Sequence, residues 1–131
     1  LKPTNAQDQH KIKKPVLTQT LLPINKVNIG ENAMLTCKFE QYDKENKIEW
    51  LFNQENLTET IFKYNEKYEH SYEPENHSST LIIKNVNLKD KGEYTFLIKN
   101  SSGQCKSVCQ LEVNDSIKSK ELNNTVIKEL E

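Results

Sequence analysis

Three cysteines, three histidines and five Asn-x-Ser/Thr triplets are the residues of this chain whose types could carry chemistry. A thiol can act as a nucleophile, join a disulfide or hold a metal, but each role needs its own spacing or neighbours. Cys37, Cys105 and Cys109 cannot all pair within one chain. Cys105 and Cys109 stand four apart in a β-type run, roughly 13 Å at about 3.4 Å per residue. That exceeds the ~4.4–6.8 Å between Cα atoms that a disulfide spans. Two readings remain: three reduced thiols acting as small buried hydrophobes, or a Cys37–Cys109 bond. His10, His70 and His77 form no close pair with each other or with a cysteine, so zinc ligation is not expected. Gly-x-Ser-x-Gly, P-loop and dinucleotide-binding patterns do not occur, and three Gly in the whole chain leave little for a phosphate-cradling loop. The residues predict no catalysis, no cofactor, no metal and no small-molecule substrate.

The triplets begin at Asn56, Asn76, Asn100, Asn114 and Asn123, and each matches an N-glycosylation acceptor. Among fifteen Asn and seventeen Ser or Thr, chance supplies about two such matches. The excess favours an extracellular chain, although all three residue types also gather in turns.

The elements that must position these residues are short β-type runs between polar turns. Val16 to Leu22 is stopped by Pro23 and resumes at Lys26, the mark of an edge strand. Leu35, Cys37 and Phe39 share one face of a second run at period two, and Ile48, Trp50 and Phe52 share one face of a third. Thr60 to Tyr64 and Tyr68 to Tyr72 read as weaker, polar strands. Thr80 to Lys84, Glu93 to Lys99 and Gln104 to Val113 are strong, with Asn100-Ser101-Ser102-Gly103 as a hairpin turn between the last two. About eight short strands with a turn signal every ten residues or so predict an all-β, two-sheet antiparallel sandwich.

Bulk charge narrows the partners. The 131 residues carry a net charge of −1, and all eighteen basic residues are Lys. Without Arg the chain lacks the fork that reads phosphates and guanine edges in two bonds at once, so nucleic acid is not an expected partner. No run reaches the ~18–20 apolar residues of a membrane span, and no membrane insertion is expected.

Cys37, Trp50 thirteen residues on, Leu81 and the run Asp90-x-Gly92-x-Tyr94-x-Phe96 together resemble an immunoglobulin domain. The resemblance is to the intermediate set of titin, twitchin, stretchin and related giant muscle proteins, and it covers residues 15–113. It implies that Trp50 plugs the gap between two sheets, that Tyr94 forms a corner bonded to the turn before it, and that Gly92 permits a close approach there. Cys37, Trp50, Leu81, Asp90, Gly92, Tyr94 and Phe96 are thus the expected fold-defining core. The family pattern expects a second Cys at position 96, bonded across the core to position 37. Phe96 stands there instead, forgoing ~2–4 kcal/mol of cross-linking. Such a loss suits a reducing compartment, so the resemblance implies a cytoplasmic, sarcomeric module, with an extracellular recognition domain as the alternative. Its implied partners are proteins: the myosin filament or neighbouring immunoglobulin-like domains.

Two flanks complete the chain. Residues 1–14 carry Lys2, Lys11, Lys13 and Lys14 against Asp8 and hold only two large aliphatics, which predicts an irregular basic arm or linker. Residues 114–131 contain Ile117, Leu122, Val126, Ile127 and Leu130 among helix formers, interrupted by Asn123 and Asn124. A linker and a short amphipathic helix are both compatible with that spacing. Lys11, Lys13, Lys14, Ile117, Leu122 and Ile127 are the candidate partner-binding residues of these flanks.

Overall fold

The computed structural model describes residues 12–40, 45–61, 63 and 65–115. Pro23 sets the topology at its start. The first β-rich run divides into β1 (Leu17–Gln19) and β2 (Ile24–Asn28), and the two halves join different sheets. Proline removes a ladder donor, so both halves sit on sheet edges. The crossing between them is fastened by Leu21 N–H to Ser107 Oγ at 2.8 Å and by Gln110 N–H to the Pro23 carbonyl at 2.8 Å.

The remaining strands are β3 (Ala33–Phe39), β4 (Lys47–Phe52), β5 (Glu55–Asn56), β6 (Tyr68–Glu73), β7 (Ser78–Ile83), β8 (Gly92–Asn100) and β9 (Gly103–Asn114). A four-stranded sheet runs β1-β3-β7-β6 and a five-stranded sheet runs β2-β9-β8-β4-β5. Every pairing is antiparallel except β2 with β9, where the strand arriving from the Pro23 crossing lies parallel to its neighbour. The sandwich is therefore antiparallel with one parallel edge.

Alternation explains what fills the gap between the sheets. Leu35, Cys37 and Phe39 point inward from β3, and Trp50 from β4. Leu81 and Ile83 do so from β7, and Tyr94, Phe96 and Ile98 from β8. Cys109 and Leu111 close the layer from β9. The aromatic rings meet in the middle: Trp50 and Phe96 pack edge to face with centroids 5.1 Å apart, and Phe39 stacks on Phe96 at 6.4 Å.

Two expectations change. Thr60 and Ile61 are not in a strand: Thr58–Ile61 forms a short helix, α1, while Phe62 and Tyr64 lie outside the described residues. Asn56 Oδ1 accepts from Thr58 N–H at 2.7 Å and so caps the turn, while Ile61 drops into the core. That local capping outcompetes the weak β preference of a polar run. The basic arm is also not wholly outside the fold. Asn100 Nδ2 donates to the Lys13 carbonyl at 2.7 Å and Ser102 Oγ donates to the Ile12 carbonyl, laying residues 12–14 against the β8–β9 hairpin. The Lys13 and Lys14 side chains stay exposed, but the backbone carbonyls of Ile12 and Lys13 find donors on the turn.

Candidate functional site

Cys37, Trp50, Leu81, Tyr94 and Phe96 lie between the two sheets, whereas Asp90 and Gly92 lie at the turn entering β8. Trp50 and Phe96 are cross-strand partners in the β4–β8 register, and Phe96 faces Ser107 across the hairpin. Cys37, Trp50, Leu81, Tyr94 and Phe96 are completely buried. All three cysteines are free thiols. Burial pushes the Cys37 thiol up to about 12, offset in part by the Ser107 hydroxyl beside it, and pushes Cys109 up to about 11. Thiols raised that far above neutrality stay protonated at pH 7, which disfavours a nucleophilic role. Among the described residues no three His, Cys, Asp or Glu side chains are grouped to hold a metal ion. No helix among them is long and apolar enough to cross a membrane.

A buried indole needs an acceptor, and Ser79 supplies it. Trp50 Nε1–H donates to Ser79 Oγ at 3.0 Å, and His70 Nε2 lies 2.7 Å from the same oxygen. The indole can only donate to the serine oxygen, and the direction of the Ser79–His70 bond follows the tautomer of the neutral ring. Burial pulls the His70 pKa down to about 4, from an ordinary 6.5. The unfolded chain therefore binds the extra proton first, and stability falls as pH drops from about 6.5 towards 4. We expect the melting midpoint to decline between pH 7 and pH 5, and His70→Gln to flatten that slope. A slope unchanged in His70→Gln would place the titration elsewhere.

The turn before β8 is built as a unit. Asn87 caps a 3-10 turn, Leu88–Asp90, with its side chain accepting from Lys89 N–H at 2.8 Å. Asp90, nearly buried, accepts from Asn87 N–H at 2.9 Å and pairs with Lys67. Tyr94 Oη donates to the Asp90 carbonyl at 2.8 Å, the tyrosine corner expected from Asp90-x-Gly92-x-Tyr94. Burial raises the Tyr94 phenol well above its usual value, so it remains a donor. Gly92 has φ +149°, and Asn53 Oδ1 stands only 2.6 Å from where a Cβ would be.

A buried tryptophan pinned across two sheets, a tyrosine corner and this strand order are the marks of one family, whose profile, the immunoglobulin I-set domain, matches residues 15–113. The chain belongs to the immunoglobulin I-set family. No curated protein sequence matches it. An I-band fragment of titin superposes on the I-set domain with TM-score 0.67 and 22% identity, over 78% of this chain and 33% of that one. Titin kinase with its flanking domains gives 0.65 and 28%, over 79% of this chain and 18% of that one. The titin M10–obscurin-like 1 Ig complex gives 0.65 and 17%, over 78% and 95%. This chain thus spans about a third of the I-band fragment, and the likeness establishes the sandwich fold.

Of the candidate flank residues, Lys13 and Lys14 are among the described residues. Lys13 and Lys14 lie beside the I-set hairpin, where the Lys14 stem covers Gly103. Lys11, Ile117, Leu122 and Ile127 lie outside the described residues. Three structural partners escaped the sequence reading: Ser79 for the indole, Ser107 for the β1–β2 crossing and Lys67 for Asp90. Only the first had a signal, since any buried Trp demands an acceptor.

Proposed function

We propose that this I-set domain is a non-catalytic structural and protein-binding module of a titin-, twitchin- or stretchin-like muscle protein, working in the reducing cytoplasm of the sarcomere. Phe96 carries the reading. A core that replaces the cross-sheet disulfide by an aromatic has no use for an oxidising compartment. The buried thiols, raised well above neutrality, support a holding role. The titin M10–obscurin-like 1 complex supports neighbouring immunoglobulin-like domains as one partner class. The myosin filament is the other, reached through the basic arm and the apolar tail.

Hydrogen bonds of Ile12 and Lys13 to the hairpin, and of Ile29 N–H to the Asn114 carbonyl at 3.1 Å, set where the flanks can be cut. Removing residues 116–131 and replacing Lys11, Lys13 and Lys14 by Gln should leave the melting midpoint nearly unchanged while reducing co-sedimentation with myosin filaments. Binding through the lysines should also weaken with salt. Unchanged co-sedimentation would move binding onto the sandwich itself. The second reading, an extracellular recognition domain, rests on the triplets at Asn56 and Asn76, whose side chains are exposed.

A further inference from the structure

The carbonyls of Ile12, Lys13 and Val16 are each held by the sandwich. Ser102 Oγ donates to Ile12, Asn100 Nδ2 donates to Lys13 at 2.7 Å, and Glu40 N–H donates to Val16 at 2.8 Å. Between them Pro15 is buried. The Lys14 stem runs over Gly103, where a Cβ would stand 3.0 Å from Lys14 Cγ and 3.1 Å from its Cδ. Glycine at that position leaves room for the arm to pass. Asn100 is aimed by its own neighbours: its Oδ1 accepts from Ser102 N–H at 2.8 Å, and its Nδ2 also donates to Asn46 Oδ1 at 2.9 Å. The donor that holds Lys13 is therefore already in place when the arm lies down.

These contacts hold backbone and leave charge outside. The Lys13 and Lys14 side chains are exposed. Asn100 follows Lys99, the register partner of Lys47, so the arm lysines are brought to an end of the sandwich that already carries two others. We propose that the β8–β9 hairpin is a latch that presents the basic arm to an acidic protein surface. Asn100 and Ser102 are its positioning residues: they fix the Ile12 and Lys13 backbone, so that Lys13 and Lys14 start from a preformed position. A fixed segment binds more tightly than a free tail of equal charge, because less freedom remains to be lost on binding. This deepens the reading of the arm as a binding element and rests on it.

Two readouts separate the latch from the binding it serves. Trypsin can cut between Lys13 and Lys14 only when that bond leaves the hairpin, so the rate at which Lys14 appears as a new N-terminus reports local opening. In the full chain, Asn100→Ala and Ser102→Ala should each speed this cut, and together by about tenfold or more. The melting midpoint should stay within about 2 °C of wild type. Ser102→Ala removes one hydroxyl from an exposed tip and serves alone if Asn100→Ala lowers the midpoint. Ser101→Ala, which alters the same tip but none of these bonds, should cut at the wild-type rate. An unchanged rate in the double variant overturns the latch, whatever the arm binds. The double variant keeps every lysine, yet should bind myosin filaments at least about threefold more weakly at equal salt. Wild-type binding by the double variant overturns presentation by the hairpin, even where replacing Lys11, Lys13 and Lys14 by Gln reduces binding. If the Gln variant also binds like wild type, the arm is not a binding element and the proposal falls with that reading.

Discussion

Phe96→Ala should lower the stability of the sandwich by about 3–5 kcal/mol, the range for deleting a fully buried aromatic. Its ring is completely buried, packs edge to face on Trp50 at 5.1 Å and stacks on Phe39 at 6.4 Å. It also stands where the covalent link between the sheets would otherwise lie, so no disulfide limits the damage. Removing it leaves Trp50 and Phe39 facing a void that the two sheets can close only by moving together. For a domain of this size the melting midpoint should fall by more than about 10 °C. A fall of about 2 °C or less would mean that the ring is not a structural substitute for the cross-link.

Gly92→Ala is the second large effect, and it acts through the backbone. At φ +149° an L-residue is strained, and its Cβ would lie 2.6 Å from Asn53 Oδ1 and 2.8 Å from Phe52 Cε1. Asn53 cannot simply retreat: its side chain accepts from Glu93 N–H at 3.0 Å, and its own N–H donates to the Glu93 carbonyl at 2.7 Å. Strain and overpacking each cost on the order of 1–3 kcal/mol, so a loss of about 3 kcal/mol is expected in a denaturant titration. Gly30→Ala is the control. It also has positive φ, but nothing lies within 4 Å of its added methyl, so only the backbone strain should appear. Equal losses at the two positions would show that the close approach to Asn53 contributes nothing.

The sandwich was legible wherever a strand buries one face. In β3 the alternation of Leu35, Cys37 and Phe39 with Met34, Thr36 and Lys38 leaves one possible inward face, and the same holds for β8 and β9. The tyrosine corner was legible because Asp90, Gly92 and Tyr94 are tied by one local turn. What could not be read was set by distant partners or by local capping. Thr58–Ile61 turns into a helix because Asn56 caps it, a competition that periodicity does not register in so polar a segment. The parallel pairing of β2 depends on where the chain lands after Pro23, which Ser107, 86 residues from Leu21, decides. The docking of Ile12 and Lys13 uses backbone carbonyls, which every sequence offers alike.

The central claim is that Phe96 does the work of a disulfide so that this I-set domain can live with reduced thiols. Intact-mass measurement of the chain from its native source, alkylated in denaturant without reductant, tests it most directly. The account predicts three alkylated cysteines, Cys37, Cys105 and Cys109, and no glycan mass at any of the five triplets. One alkylated cysteine would reveal a disulfide, and glycan mass would place the chain in the secretory pathway; either result would contradict it.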